Sequence, residues 1–293
     1  MEHADEATIA AIAEKVNNGQ CILFMGAGVH YPPPEGSKYS YPESERPPLG
    51  RALSERLAAK SGFAEQFPRE STGNLQRVSL YYETKRSRRE LVEEMVSAVQ
   101  VGKKPSPVLR ALARLNFPLV ITTNYDQLYE RALWDAAKDP YIGVYSKEEY
   151  TVTADYTDAT STRPFVFKIH GDIQKPESIV VTDEDYIQFV LRMSDKDPYH
   201  PVPETFRYNF KRWPTLFVGY SLMDYNLRLL FKTLRWRIDK ANRPNTYSVD
   251  PHPDLLLVKV LADQEQYVKF IAQDVWTFLP KLYRAVTGEE MPL

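Results

Sequence analysis

Short apolar runs that close on glycine or polar residues recur along this chain. The first is Ile22-Leu23-Phe24-Met25, followed at once by Gly26-Ala27-Gly28. Four apolar residues without alternation read as a strand buried on both faces, the pattern of a parallel sheet. A second run, Leu119-Val120-Ile121-Thr122-Thr123, closes on Asn124-Tyr125-Asp126. A third, Phe165-Val166-Phe167-Lys168-Ile169, closes on His170-Gly171-Asp172, and a fourth, Leu216-Phe217-Val218, on Gly219-Tyr220-Ser221. Ser178 to Val181 reads as a short edge strand. Leu255 to Val260 reads as a late strand, with helix as the alternative.

Between these runs the apolar spacing changes to three and four. Ile9, Ile12 and Val16 predict a helix from Ala7 to about Val16, with Gly19 beyond its end. Leu49, Leu53 and Leu57 mark another, and further helices are predicted over Asn74–Tyr82 and Ser87–Val99. Ser87-x-x-Glu90 has the form of a capping box. Leu109, Leu112 and Leu115 mark one more, so residues 48–116 are predicted to be a mostly helical insertion between the first two strands. Asp183–Met193 and Glu204–Trp213 also read as helical. From His30 to Pro48, prolines exclude regular helix or central strand. A loop of that length beside a glycine turn is a natural lid or binding loop. The pattern predicts an α/β fold, a Rossmann-like parallel sheet flanked by helices, as one domain over residues 1–293.

Composition narrows the chemistry. The 293 residues carry 37 Lys and Arg against 39 Asp and Glu, a net charge of −2, so direct nucleic-acid binding is not expected. The local run Lys85-Arg86-Ser87-Arg88-Arg89 reads as a solvated helix start. A single cysteine excludes an intrachain disulfide framework and a four-cysteine zinc ribbon. Cys21 itself sits in the first apolar run and reads as a buried hydrophobe. Histidines 3, 30, 170, 200 and 252 show no zinc-ligand spacing, so no metal is expected. With no signal-peptide core and no apolar stretch near the roughly 20 residues that span a bilayer, a cytoplasmic protein is expected.

In an open parallel sheet all strand carboxyl ends lie on one edge, where ligands bind. Gly26, Asn124, His170 and Ser221 would therefore converge on one cleft. Gly26-Ala27-Gly28 allows a phosphate to approach backbone N–H groups closely, although glycine pairs also close ordinary strand–helix turns. The full G-x-G-x-x-G is absent, since Tyr31 stands at the third glycine, and no acidic residue follows on a second strand in the place that would hold an adenosine ribose. Hydride transfer is disfavoured on those grounds. His170 suits a general base near neutral pH, or caps a strand end. Asn124, Asp126 and Asp224 have helix-capping readings beside any functional one.

Taken in order, Gly26-Ala27-Gly28, Thr122-Thr123-Asn124-Tyr125-Asp126-Gln127-Leu128, Ile169-His170-Gly171 and Gly219-Tyr220-Ser221 resemble the GAG, TQN-x-D-x-L, HG and GTS motifs of sirtuins. The resemblance spans roughly residues 20 to 235. It implies that Gly26, Ala27, Gly28, Gly219 and Ser221 bind the phosphate and ribose region of NAD. It further implies that Asn124 positions a water beside the nicotinamide ribose, that Asp126 holds the nicotinamide carboxamide, and that His170 is the base. Two departures stand out: there is no four-cysteine zinc module, and Val29-His30 follows the glycine turn where a serine often stands. They make the chain similar to zinc-free bacterial sirtuin-like domains that hydrolyse NAD in antiviral defence. Helices with apolar faces and abundant aromatics (19 Tyr, 13 Phe, 4 Trp) suit assembly surfaces, so a homo-oligomer is expected, and a DNA-translocating ATPase as the controlling partner is what the resemblance implies. The alternatives are an NAD-dependent protein deacylase and a non-catalytic NAD or ADP-ribose sensor, with a nuclease more distant.

Overall fold

Each of the four apolar runs forms a strand whose residues divide by parity between two cores. The computed structural model describes residues 6–148, 150–220, 243–256, 258–259 and 268–293. Within them lie the strands β1 Ile22–Met25, β2 Leu119–Thr122, β3 Tyr141–Val144, β4 Phe165–Lys168, β5 Thr215–Val218, β6 Thr246–Val249 and β7 Val268–Ile271. They form one sheet in the order β3-β4-β2-β1-β5-β6-β7, and every neighbouring pair is parallel. Leu23 and Met25 of β1 join the core on one face, while Ile22 and Phe24 join the core on the other. Burial on both faces is why these strands read as continuous rather than alternating.

The helices are α1 Glu6–Asn17, α2 Gly50–Ser61, α3 Phe63–Gln66, α4 Leu75–Lys85, α5 Arg88–Val99, α6 Pro107–Arg114, α7 Leu128–Asp135, α8 Asp183–Arg192, α9 Glu204–Asn209 and α10 Val275–Thr287. One sheet face is covered by α1, α6, α7 and α10. Phe189 of α8 and Phe206 of α9 pack on the other. The helical segment between β1 and β2 divides in two. Helices α2 to α5 enclose a core of their own with Leu57, Val78, Leu91 and Met95. Helix α6 belongs instead to the main sheet layer. The smaller core also takes in Ile173, Ile179 and Val181, so it rests on the loop that follows β4.

Several local predictions are corrected by tertiary context. Ser178 ends a short 3-10 turn and Ile179–Val181 is buried coil, its apolar residues serving a core rather than a ladder. Residues 255, 256, 258 and 259 are helical rather than extended. Ser87 accepts the Glu90 N–H at 3.1 Å, while the Glu90 carboxylate takes the Ser87 hydroxyl at 3.4 Å instead of its backbone. Arg88 is more than a solvated charge, since it bonds Glu83, Asp185 and the Ile179 carbonyl. Strands β3, β6 and β7 escape the sequence pattern because they are short, mixed in polarity or half exposed. Helix α10 escapes it because Pro280 lies inside. Among the described residues, no helix is long and apolar enough to cross a membrane.

Candidate active site

The strand register sets the site. Met25, Thr122, Lys168 and Val218 stand level across β1, β2, β4 and β5. The next residues therefore leave the sheet along one edge. From β1 the chain passes to β2, β3 and β4 on one side, then returns to β5, β6 and β7 on the other. The reversal falls between β1 and β5, the kind of switch point at which open parallel sheets bind ligands. Gly26 and Gly219 lie there, and Asn124 and His170 follow the adjacent strands by two residues each. Ser221 and Asp224 lie outside the described residues.

The glycines at this edge are required first by one another. A Cβ on Gly28 would lie 2.7 Å from the Gly219 Cα, and one on Gly219 would lie 2.3 Å from the Val29 nitrogen. Gly219 also has φ +65°, a conformation that costs a side-chain-bearing residue about 1–2 kcal/mol. Gly28 donates its N–H to the Gly219 carbonyl at 2.7 Å, and Gly26 donates to the Val218 carbonyl at 3.1 Å. Ala27 opens the short 3-10 turn Ala27–His30, whose first N–H groups have no acceptor within the turn.

Asn124 and Asp126 stand on the loop between β2 and α7, and both meet a residue that sequence reasoning left out of the site. His30 is 3% exposed, with Nε2 at 3.3 Å from Asp126 Oδ2 and 3.5 Å from Asn124 Nδ2. Asn124 Nδ2 also reaches the Gly26 carbonyl at 3.4 Å, tying the first and second motifs. The second Asp126 oxygen accepts the Leu128 N–H at 2.9 Å, which is the helix-capping contact. Asp126 is thus buried with both oxygens engaged inside the protein. Burial alone would raise its pKa, but His30, Lys168 and the Leu128 N–H outweigh it and hold the carboxyl below its usual range.

His170 is buried, its ring edge-on to Tyr186 and Phe189 at centroid distances of 5.2 and 5.3 Å. Its Nδ1 stands 3.4 Å from the Tyr186 hydroxyl. The tautomer that donates from Nδ1 to that oxygen carries its lone pair on Nε2, the form a general base needs. Gly171, at φ +89°, packs against the Ser178 carbonyl, and Val180 donates to the His170 carbonyl at 3.0 Å. The buried segment after the 3-10 turn therefore braces the histidine loop.

Beneath both loops lies Lys168, fully buried at the end of β4. It pairs with Glu130 and Asp172 at 2.9 Å each and donates to the Tyr125 and Asp126 carbonyls. Burial disfavours its charge, yet Glu130, Asp172 and Asp126 together outweigh this and hold the ammonium above its ordinary range. A lysine inside the run Phe165–Ile169 was the sequence signal for this hub. Cys21, by contrast, is 0% exposed and burial pushes its thiol up to about 12, so it is inert.

The Pro-rich loop is tied to this edge. Tyr41 stands with its hydroxyl 3.4 Å from His30 Nδ1 and donates to the Lys104 carbonyl at 3.0 Å. Trp276 donates to the Tyr31 carbonyl at 3.1 Å. A cavity of about 840 Å³ lies behind Tyr186, lined by α3, α4 and α8, and holds none of the predicted site residues. Among the described residues, no group of three or more His, Cys, Asp or Glu is placed to hold a metal.

Comparison with known proteins agrees with this arrangement. The model of the SIR2-like domain matches residues 118–277, more than half of the chain. Defense-associated sirtuin 2 of Bacillus subtilis is 28% identical over 252 residues, covering 84% of this chain and 22% of that protein. The NAD(+) hydrolase ThsA of Acinetobacter baumannii (strain 532279) is 24% identical over 302 residues, covering 98% of this chain and 57% of the relative. The NAD(+) hydrolase ThsA of Enterococcus faecium is 34% identical over 136 residues, 46% of this chain and 26% of the relative. The chain thus spans between about a fifth and just over half of the length of these relatives. On the match across β2 to α10, with Asn124 and His170 on adjoining strand ends, the chain belongs to the SIR2-like domain family.

Proposed function

We propose that this chain hydrolyses NAD at the bond between nicotinamide and ribose, in antiviral defence. The observation that carries the reading is that the Gly26–Gly28 turn, Asn124 and His170 leave β1, β2 and β4 along one edge of a SIR2-like sheet, beside its switch point. The names of the ThsA relatives support the reaction, and that of the Bacillus subtilis relative supports the defence setting.

In this reading the turn Gly26-Ala27-Gly28, with Gly219 and Ser221, takes the phosphate and ribose region of NAD. The nicotinamide ring leaves as a neutral molecule because it is cationic while bound. Breakage of its bond to C1′ develops positive charge on the ribose, and the bonding electron pair departs with nicotinamide. A water held by Asn124 adds to C1′ and yields its proton to His170. The products are nicotinamide, ADP-ribose and one proton. Strong acid catalysis is unnecessary for such a leaving group, so positioning and preorganised dipoles supply the acceleration. Asp126, with both oxygens engaged inside the protein, acts on the nicotinamide side by holding its own loop in place.

The assembly reading is a cytoplasmic homo-oligomer restrained by a separate partner, a DNA-translocating ATPase being the kind the sequence resemblance suggests. The test is product analysis of the pure protein with NAD, alone and with an acyl-lysine peptide, across a dilution series followed by light scattering. Hydrolysis predicts equal nicotinamide and ADP-ribose whether or not peptide is present. Transfer of the acyl group to ADP-ribose would establish the deacylase instead. Binding without turnover would establish a sensor, and a monomer of constant activity at all dilutions would remove the assembly.

A further inference from the structure

His30 has no role in the cleavage scheme, yet it is the buried group on which Asn124 and Asp126 both rest. Its contacts on both sides of the ring hold it in place. The Tyr41 hydroxyl donates to the Lys104 carbonyl at 3.0 Å, and its oxygen stands 3.4 Å from His30 Nδ1. On the other side, Nε2 lies 3.3 Å from Asp126 Oδ2 and 3.5 Å from Asn124 Nδ2. The imidazole is thus clamped between Tyr41 and Asp126, with the Asn124 amide against the same ring nitrogen as Asp126.

This clamp has a consequence for Asn124. An amide oxygen turned inward would face the Gly26 carbonyl oxygen to oxygen. The amide instead turns Nδ2 inward, donating to the Gly26 carbonyl at 3.4 Å and standing 3.5 Å from His30 Nε2, so the clamped ring and the Gly26 carbonyl bound the place of the nitrogen. Its oxygen is left on the far side from Gly26. An oxygen there accepts a hydrogen bond from water and leaves the water's lone pair for the carbon under attack. A nitrogen there would hold the water the wrong way round.

We propose that His30 is a positioning residue for Asn124, clamped by Asp126 and Tyr41 so that the amide presents its oxygen to the attacking water. The role rests on the reading of Asn124 as the group that holds the water in NAD cleavage. His30 touches no reacting atom, so its signature is a loss in kcat with KM for NAD unchanged. Glutamine can set a polar amide near the place of Nε2, whereas alanine cannot.

The test compares wild type with His30→Ala, His30→Gln and Tyr41→Phe by steady-state kinetics of nicotinamide release, with thermal unfolding of each. His30→Ala is expected to lower kcat about 10- to 100-fold, the scale of a misplaced reacting group, with KM within about twofold. His30→Gln is expected to recover most of that loss. Tyr41→Phe, which removes the hydroxyl from His30 Nδ1 and from the Lys104 carbonyl but leaves the Nε2 side of the ring intact, should fall between them. The Asn124 side-chain amide resonance, identified by its loss in Asn124→Ala, should move in His30→Ala and stay near its place in His30→Gln. An active wild type beside a His30→Ala variant of unchanged kcat overturns the proposal. So does equal loss in the alanine and glutamine variants when both remain folded. If His30→Ala does not fold, the glutamine and Tyr41→Phe kinetics decide. A wild type that releases no nicotinamide fails the cleavage reading alone, and the amide resonance still decides the position of Asn124.

Discussion

At the scale of single residues, one buried lysine joins the two loops that carry the proposed chemistry. Lys168 takes up the charge of Glu130 and Asp172 and fixes the Tyr125 and Asp126 carbonyls. Replacing it by methionine keeps the length of the side chain but leaves two carboxylates buried without their cation. Removing one partner of a buried ion pair costs about 3–5 kcal/mol. Lys168→Met is expected to lose stability of that order in urea unfolding at neutral pH, and adding Glu130→Gln should return part of it. A loss below about 1 kcal/mol would mean that the hub contributes little. This residue was visible in the sequence only as a polar interruption of an apolar run. Asp172 stands only four residues on, in the loop after β4, but nothing in spacing alone told that Glu130 would meet the lysine, because that meeting depends on the parallel register of β2 and β4.

At the scale of elements, the tight packing of β1 and β5 turns governs the site. Gly219 needs its glycine twice, for φ +65° and for the backbone of Gly28 and Val29 pressed against it. Gly36 has φ +77° with nothing within 4 Å of an added Cβ, which makes it a control for strain alone. Gly36→Ala should cost about 1–2 kcal/mol, and Gly219→Ala that strain plus a packing penalty of roughly 1–3 kcal/mol. Denaturant unfolding of the two variants checks this, and equal losses would show that the turns tolerate separation. The sequence pattern located β1, β2, β4 and β5 within a residue because a strand buried on both faces is apolar throughout. It missed β6, Thr246-Tyr247-Ser248-Val249, where hydroxyl-bearing residues are buried by neighbours that only tertiary structure supplies. It took Ile179–Val181 for a strand for the converse reason, since their burial comes from packing under the α2–α5 core. Of the site, Gly26, Asn124, Asp126, His170 and Gly219 were read from strand ends. His30 was noted as a departure from motif, yet its place behind Asn124 arises from the 3-10 turn that follows β1.

At the scale of the whole molecule, the sheet brings four separated motifs to one edge, and the Pro-rich loop is fastened there through Tyr41 and Trp276. Fastening of this kind suits an edge that excludes bulk water when substrate is held, since water exclusion strengthens fixed dipoles. The central claim is that Asn124 and His170 together cleave NAD. Its most direct test is the rate of nicotinamide release, with ADP-ribose measured alongside, for wild type, Asn124→Ala and His170→Ala under identical conditions. The account predicts matched products from the wild type. It predicts a fall of about 10²- to 10⁴-fold for His170→Ala, the range of a lost general base. A loss of similar order is predicted for Asn124→Ala, with circular dichroism unchanged in both variants. Full activity in either folded variant would contradict it.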